Sequence, residues 1–154
     1  MLTTATCAVA AVVLAGCSGG SSGGGGSSSS TLSKAQLDTQ ANAICTAEVT
    51  QGKAVPQPKD INDPKQAAAY FDQIDPIIAS TTTKLEALEP ASDIAADWTT
   101  FLTDRKAFST AMHDVREKAD AADKSGLTEL ENLSTDKLAA AATAVGATAC
   151  GESS

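Results

Sequence analysis

The sequence is poor in the residues that carry chemistry. It has one histidine (His113), one tryptophan (Trp98), and only four other aromatics: Tyr70, Phe71, Phe101 and Phe108. Eleven basic residues face 19 acidic ones, for a formal net charge of −8 and a pI near 4.4. No basic patch is available to neutralise phosphates, so nucleic acid is not an expected partner. No apolar run reaches the ~18 residues of a membrane span, which argues against a polytopic membrane protein. β-branched and aromatic residues do not alternate over any useful length, so strands are not expected. A lone histidine cannot supply a Ser/His/Asp set, and no cofactor motif occurs. The absence of Glu-x-x-His disfavours a di-iron bundle. These absences point away from an enzyme and imply no cofactor and no metal.

The N-terminal part is informative. No charged residue precedes Lys34, and Ala5 to Ala15 form an apolar run of 11. That is too short to cross a bilayer but suits the h-region of a signal peptide. The run ends in Leu14-Ala15-Gly16-Cys17. These four residues resemble the lipobox of bacterial lipoproteins: an aliphatic residue, two small residues, then cysteine. The resemblance implies cleavage before Cys17 and a diacylglyceryl group on its thiol. It makes residues 1–16 a signal peptide and places the mature chain, lipid-anchored, on the extracytoplasmic face of the cell membrane. Met1-Leu2-Thr3-Thr4 lacks the basic residue expected of an n-region, a departure that leaves the lipobox intact. Ser18 to Thr31 contains only Ser, Gly and Thr, the composition of a flexible coil. With Cys17 it makes residues 17–31 a tether. Its 14 residues give a root-mean-square span of about 20 Å and a drawn-out reach of about 48 Å.

Cysteine usage follows from that location. Cys7 leaves with the signal peptide and Cys17 carries lipid, so Cys45 and Cys150 remain. In an oxidising compartment such a pair is expected to be a disulfide.

Residues 32–154 read as an all-α domain, an up-down-up-down four-helix bundle whose first and last helices the disulfide joins. Ser33-x-x-Gln36 is a capping-box pattern opening a helix with Leu37, Ala41, Ile44 and Cys45 on one face, ending near Gly52. Ala54 to Pro58 reads as an extended linker. Asp63-Pro64 pairs an N-cap residue with proline at the first helical position. Ala67, Tyr70, Phe71, Ile74, Ile78, Thr81, Leu85 and Leu88 then repeat at helical spacing. Pro76 should kink or split that helix. Ile94, Trp98, Phe101, Arg105, Phe108, Met112, Val115, Ala119 and Ala122 step by 4 and 3 throughout, the stripe of a helix running along a partner. Lys124-Ser125-Gly126 is expected to end it. A last helix, interrupted near Ser134, runs from Leu127 to Cys150. Cys45 sits about 12 residues into the first helix, roughly 18 Å from its start. For the cysteines to meet, the first three turns should overhang the bundle. The distribution of aromatics puts the thickest core between the second and third helices.

Arg105 occupies a stripe position that should be apolar. A guanidinium there needs a carboxylate partner, and Glu48, Asp72 and Asp75 are the candidates. Two readings stand side by side. In one, Arg105 beside Trp98 and Phe101, with Glu48 near, forms a pocket for an anionic ligand. In the other, Arg105 is a structural ion pair or packs its stem and extends its head to water. His113 reads as a surface residue in helix ion pairs. The pairs Asp93/Asp97 and Asp120/Asp123 read as a dipole-favoured helix start and a solvated face.

The whole pattern of lipobox, Ser/Gly tether and Ala-rich helical domain with a cysteine near each end resembles small secreted lipoproteins of high-GC Gram-positive bacteria. The resemblance implies location and no reaction. The expectation is a binding or interaction module held to the membrane through the lipid on Cys17, its partner a protein or small molecule of unknown identity.

Overall fold

The computed structural model describes residues 31–152. The signal segment, Cys17 and the tether through residue 30 lie outside the described residues. What is described is all-helical: α1 (Lys34–Ala54), α2 (Pro64–Glu86), α3 (Ala95–Asp120), α4 (Ser125–Asn132), α5 (Asp136–Ala144) and a 3-10 turn, Thr148–Cys150. The one extended pairing among the described residues is a bridge between Leu32 and Pro90. It is built from Leu32 N–H to the Glu89 carbonyl at 2.7 Å and Ala91 N–H to the Leu32 carbonyl at 2.9 Å.

The helix starts follow their sequence signals. At α1 the Gln36 side chain accepts the Ser33 N–H at 3.0 Å, satisfying one of the donors a helix start leaves open. At α2 the Asp63 carboxylate accepts from Lys65 and Gln66 N–H at 2.9 and 3.4 Å, and Pro64 occupies the first position. Those hydrogen bonds hold the Asp63 carboxyl below its usual range, the Gln66 side chain contributing most. Pro76 does not split α2, which runs unbroken to Glu86. Proline removes the N–H that would reach the Asp72 carbonyl, at a cost of about 3 kcal/mol. Phe71 and Ile78, on either side of it, bury in one cluster with Met112 and Val115 of α3, and that packing outweighs the lost bond.

The end of α3 comes earlier than the apolar stripe suggests. Ala122 is exposed and takes a positive φ of 56°. Asp123 N–H reaches the Lys118 carbonyl at 2.8 Å and Ala122 N–H the Ala119 carbonyl at 3.0 Å, the bond pair of a Schellman cap. Lys124-Ser125-Gly126 then begins α4 instead of closing α3. The Asp123 carboxylate accepts the Ser125 N–H at 2.9 Å, which lowers the pKa of Asp123. Gly126 is buried because α4 crosses α3 closely there: a Cβ would lie 2.9 Å from Lys118 Cβ and 3.2 Å from the Val115 carbonyl oxygen.

The last segment also departs from one helix running to Cys150. It breaks at residues 133–135, and α5 stops at Gly146, whose φ is +79°. Here too the bonds make a Schellman cap: Ala147 N–H to the Ala142 carbonyl at 2.9 Å and Gly146 N–H to that of Thr143 at 3.1 Å. The chain reverses and runs back along α1. Asn42 holds it twice, its Nδ2 donating to the Gly146 carbonyl and its Oδ1 accepting the Ala149 N–H, both at 2.8 Å. Cys150 thereby meets Cys45 in a disulfide with Cα atoms 5.0 Å apart. The 3-10 turn touches both α1 and α5 and is α1's neighbour on this side in place of a last helix. No overhang results, since Leu37 and Ala41 are fully buried.

The core has two parts. One gathers Leu37, Ala41, Cys45, Leu85, Trp98, Phe101, Leu138, Ala142 and the tail through Cys150. The other gathers Ala67, Phe71, Ile78, Met112, Val115 and Ala119, under Leu127 and Leu130 of α4. Phe108 packs against both. The α2–α3 contact is the most extensive between any two elements, as expected, but the aromatics divide between the two parts.

Candidate functional site

Arg105 lies where the two parts of the core meet. Its side chain is 3% exposed and its Nη2 donates to Glu48 Oε1 at 2.6 Å. Its Nε donates to the Thr82 hydroxyl at 3.3 Å, and that hydroxyl donates onward to the Ile78 carbonyl at 2.9 Å. Its guanidinium also sits 5.5 Å from the Phe108 ring centroid, within cation–π range. Of the three candidate carboxylates, Glu48 is therefore the partner. It comes from α1 because Leu37, Ala41 and Cys45 turn that face of the helix inward.

Asp72 and Asp75 serve other cations. Asp72 Oδ1 lies 2.8 Å from Arg116 Nε. Asp75 Oδ2 lies 2.9 Å from His113 Nδ1 and 3.5 Å from Arg116 Nη1. His113 Nε2 lies 3.4 Å from Glu117, and Asp120 pairs with Arg116 at 3.5 Å. The His113 pKa is raised, chiefly by its hydrogen bond to Asp75 and then by that carboxylate's charge. Both ring nitrogens face carboxylates, which is the arrangement of an ion-pair cluster fastening α2 to α3. The ring is 47% exposed, as a surface histidine should be. Asp97 lies in the first turn of α3. Among the described residues no three His, Cys, Asp or Glu side chains gather as a metal ion would need.

A cavity of about 420 Å³ opens beside the Arg105–Glu48 pair, within the size range of small-molecule sites. It lies between the C-terminal half of α1, the middle of α2 and α3, the α4–α5 junction and the tail at Ala149–Glu152. Its floor is apolar: Phe71, Ile78, Met112 and Leu138, all buried. Ile74, Ile77, Leu130 and Leu133 continue the wall and are only half-buried. Gln57, Tyr70 and Thr135 add uncharged polar groups, with Gln57 Nε2 donating to the Tyr70 hydroxyl at 3.2 Å.

Arg105 and Glu48 line this space, but Trp98 does not. It sits in the other part of the core, 2% exposed, tilted against Phe101 at 5.0 Å between ring centroids. Among the described residues its buried Nε1–H has no hydrogen-bond partner. The α3 stripe places Trp98 and Arg105 on one face, yet two turns of helix separate them: Trp98 lies within one part of the core, and Arg105 with Glu48 and Thr82 forms the polar layer at its boundary. The apolar wall is not legible in the sequence either, since it needs α2, α4 and the tail brought together. Ile74 shows there only as a core position of α2.

No protein-family model, no curated protein and no solved structure matches this chain. Among the described residues no helix is long and apolar enough to cross a membrane.

Proposed function

We propose that this protein is a lipid-anchored, extracytoplasmic binding or interaction module without catalysis. Cys17 carries the lipid, residues 17–31 the tether, and the helical domain does the recognising. We read α4 and α5 as one broken arm, which makes the domain an up-down-up-down bundle. The cavity beside Arg105 is the observation that most supports recognition over a purely structural role. A solvated wall of isoleucine and leucine is a poor use of apolar surface unless something covers it.

A second reading, favoured by the presence of Arg105 on the cavity wall, is a site for an anionic small molecule. Against it, Glu48 already occupies the guanidinium at 2.6 Å.

Mass spectrometry of the protein extracted from membranes tests the anchor. The expected result is a mature chain beginning at Cys17 and carrying a diacylglyceryl group. An uncleaved chain with an unmodified Cys17 overturns it. Cross-linking of the anchored chain in intact cells then tests recognition: a specific adduct is expected, and its absence together with failure of small-molecule binding removes the module reading.

A further inference from the structure

The volume, lining and charge of the cavity narrow what fits it. At roughly 30 Å³ for each water-sized group, 420 Å³ holds about 14 heavy atoms, the size of a chain of about eight carbons with a small polar head. The wall offers such a chain Ile74, Ile77, Leu130 and Leu133 over a floor of Phe71 and Met112.

Four charged side chains line the space: Glu48, Lys53, Arg105 and Glu152. Their formal charges cancel, and the inner two are already joined at 2.6 Å. An anionic head on the remaining N–H groups of Arg105 brings a second negative charge against Glu48, which is only 15% exposed, and one that displaces Glu48 strands its charge. A cationic head on Glu48 strands Arg105 in the same way. Leaving one member of such a pair buried without its partner is costly. An uncharged head meets no such penalty. Gln57, Tyr70 and Thr135 line the same space and can hydrogen-bond a hydroxyl or ester. The Tyr70 hydroxyl accepts from Gln57, which leaves its own proton free to donate.

We infer that this cavity binds a small uncharged amphiphile with a single medium-length chain, of the monoacylglycerol type. The inference rests on the binding-module reading and specifies its ligand. The apolar chain lies along α2 and α4, and the hydroxylated head lies toward Gln57 and Tyr70.

Calorimetric titration of the full-length chain carrying Cys17→Ser, which removes any acyl group of its own, tests this. The probes are 1-octanoylglycerol, octanoate and octyltrimethylammonium, each kept below its micellar concentration. The neutral probe should bind one to one, about tenfold or more tighter than either ion, since tenfold needs only about 1.4 kcal/mol of differential cost. Ile77→Gln on α2 and Leu133→Gln at the α4–α5 junction should each weaken it about tenfold, with far-UV dichroism confirming the fold. Trp98→Phe, outside the cavity, should leave the affinity unchanged. If either ion binds more tightly, the uncharged-head inference falls while binding in the cavity stands. If all three probes fail to bind, the inference falls together with the small-molecule form of the module reading, and the cross-linking test judges what remains. If the neutral probe binds but neither wall variant weakens it, the cavity is not the site.

Discussion

The two parts of the core are closed in different ways. The part containing Trp98 joins segments from the two ends of the domain. Bringing Cys45 to Cys150 closes a separation of 105 residues. Loop-closure entropy opposes that meeting, and the molecule answers with a disulfide, one hydrogen bond donated and one accepted by the Asn42 side chain, and the Leu32–Pro90 bridge. The part containing Phe71 is assembled from α2 and α3, which a short connection links, and from α4, which follows α3 directly. It has no covalent tie and is fastened by packing and by surface pairs such as Arg116–Asp72 and Lys118–Glu129. Distance along the chain therefore decides where strong closure is needed. The cavity opens at the boundary, where the firmly tied tail meets the less constrained α4–α5 junction.

Removing the disulfide should break this comparison most visibly. Cys45→Ala with Cys150→Ala is expected to lower unfolding stability by about 4–5 kcal/mol on the chain-entropy model for a loop of this size, read from urea denaturation. Hydrogen exchange should rise first at Leu37–Cys45 and Ala147–Cys150, while Phe71 and Val115 stay protected. Equal loss at both places would mean that the two parts open as one unit.

The polar layer between them comes next. Glu48→Gln strands the Arg105 charge and should cost about 3 kcal/mol, whereas Glu48→Leu with Arg105→Met should recover most of it. A double variant as unstable as the single one would mark the pair as irreplaceable.

The two Schellman caps give a matched test. Gly146→Ala should destabilise by about 2 kcal/mol, through its positive φ and because a Cβ would lie 2.5 Å from the Asp38 carboxylate. Ala122→Gly should instead stabilise by about 1 kcal/mol, since alanine is held there in the left-handed region. Thermal midpoints moving in the same direction would show that backbone strain is not the cause.

The smallest effect concerns the ion pairs on the less constrained part. Because Asp75 raises the His113 pKa, the protonated imidazole is favoured in the folded state. Its contribution is fully present below the ordinary histidine value of 6.5 and fades as pH rises through the higher folded value. The stability difference between the native protein and His113→Asn should therefore be larger at acid pH and shrink above neutrality. A difference independent of pH would show that His113 contributes only packing.

Much of this architecture is legible in the amino-acid order alone. Local chemistry announces itself: Ser33-x-x-Gln36 and Asp63-Pro64 mark helix starts because capping uses residues adjacent in sequence. The Cys45–Cys150 pair is expected once the lipobox resemblance assigns Cys7 and Cys17 elsewhere, and the disulfide is present. Arg105 stands out as a charge in an apolar stripe, and Glu48 is among its candidate partners. What stays hidden depends on the third dimension or on competing signals. The spacing of Val145 and Ala149 carries the helical pattern straight past Gly146, so periodicity conceals the reversal that the glycine itself marks. Ala122 likewise continues the stripe of α3 although the helix has ended. Trp98 and Arg105 share a helix face, and nothing in their spacing says that one enters the disulfide side of the core and the other a cavity wall. The partnership of His113 with Asp75 joins residues 38 positions apart on two helices, beyond any local pattern.

The disulfide also governs how the domain bears a pull. Tension applied between Leu32 and the C-terminal tail first loads the two hydrogen bonds at Pro90 and the opening turns of α1. It then takes the covalent short cut from Cys45 to Cys150, leaving residues 46–149 outside the strained path. A pull between those two points would thus pass through the disulfide and leave the helices from α2 to α5 unloaded.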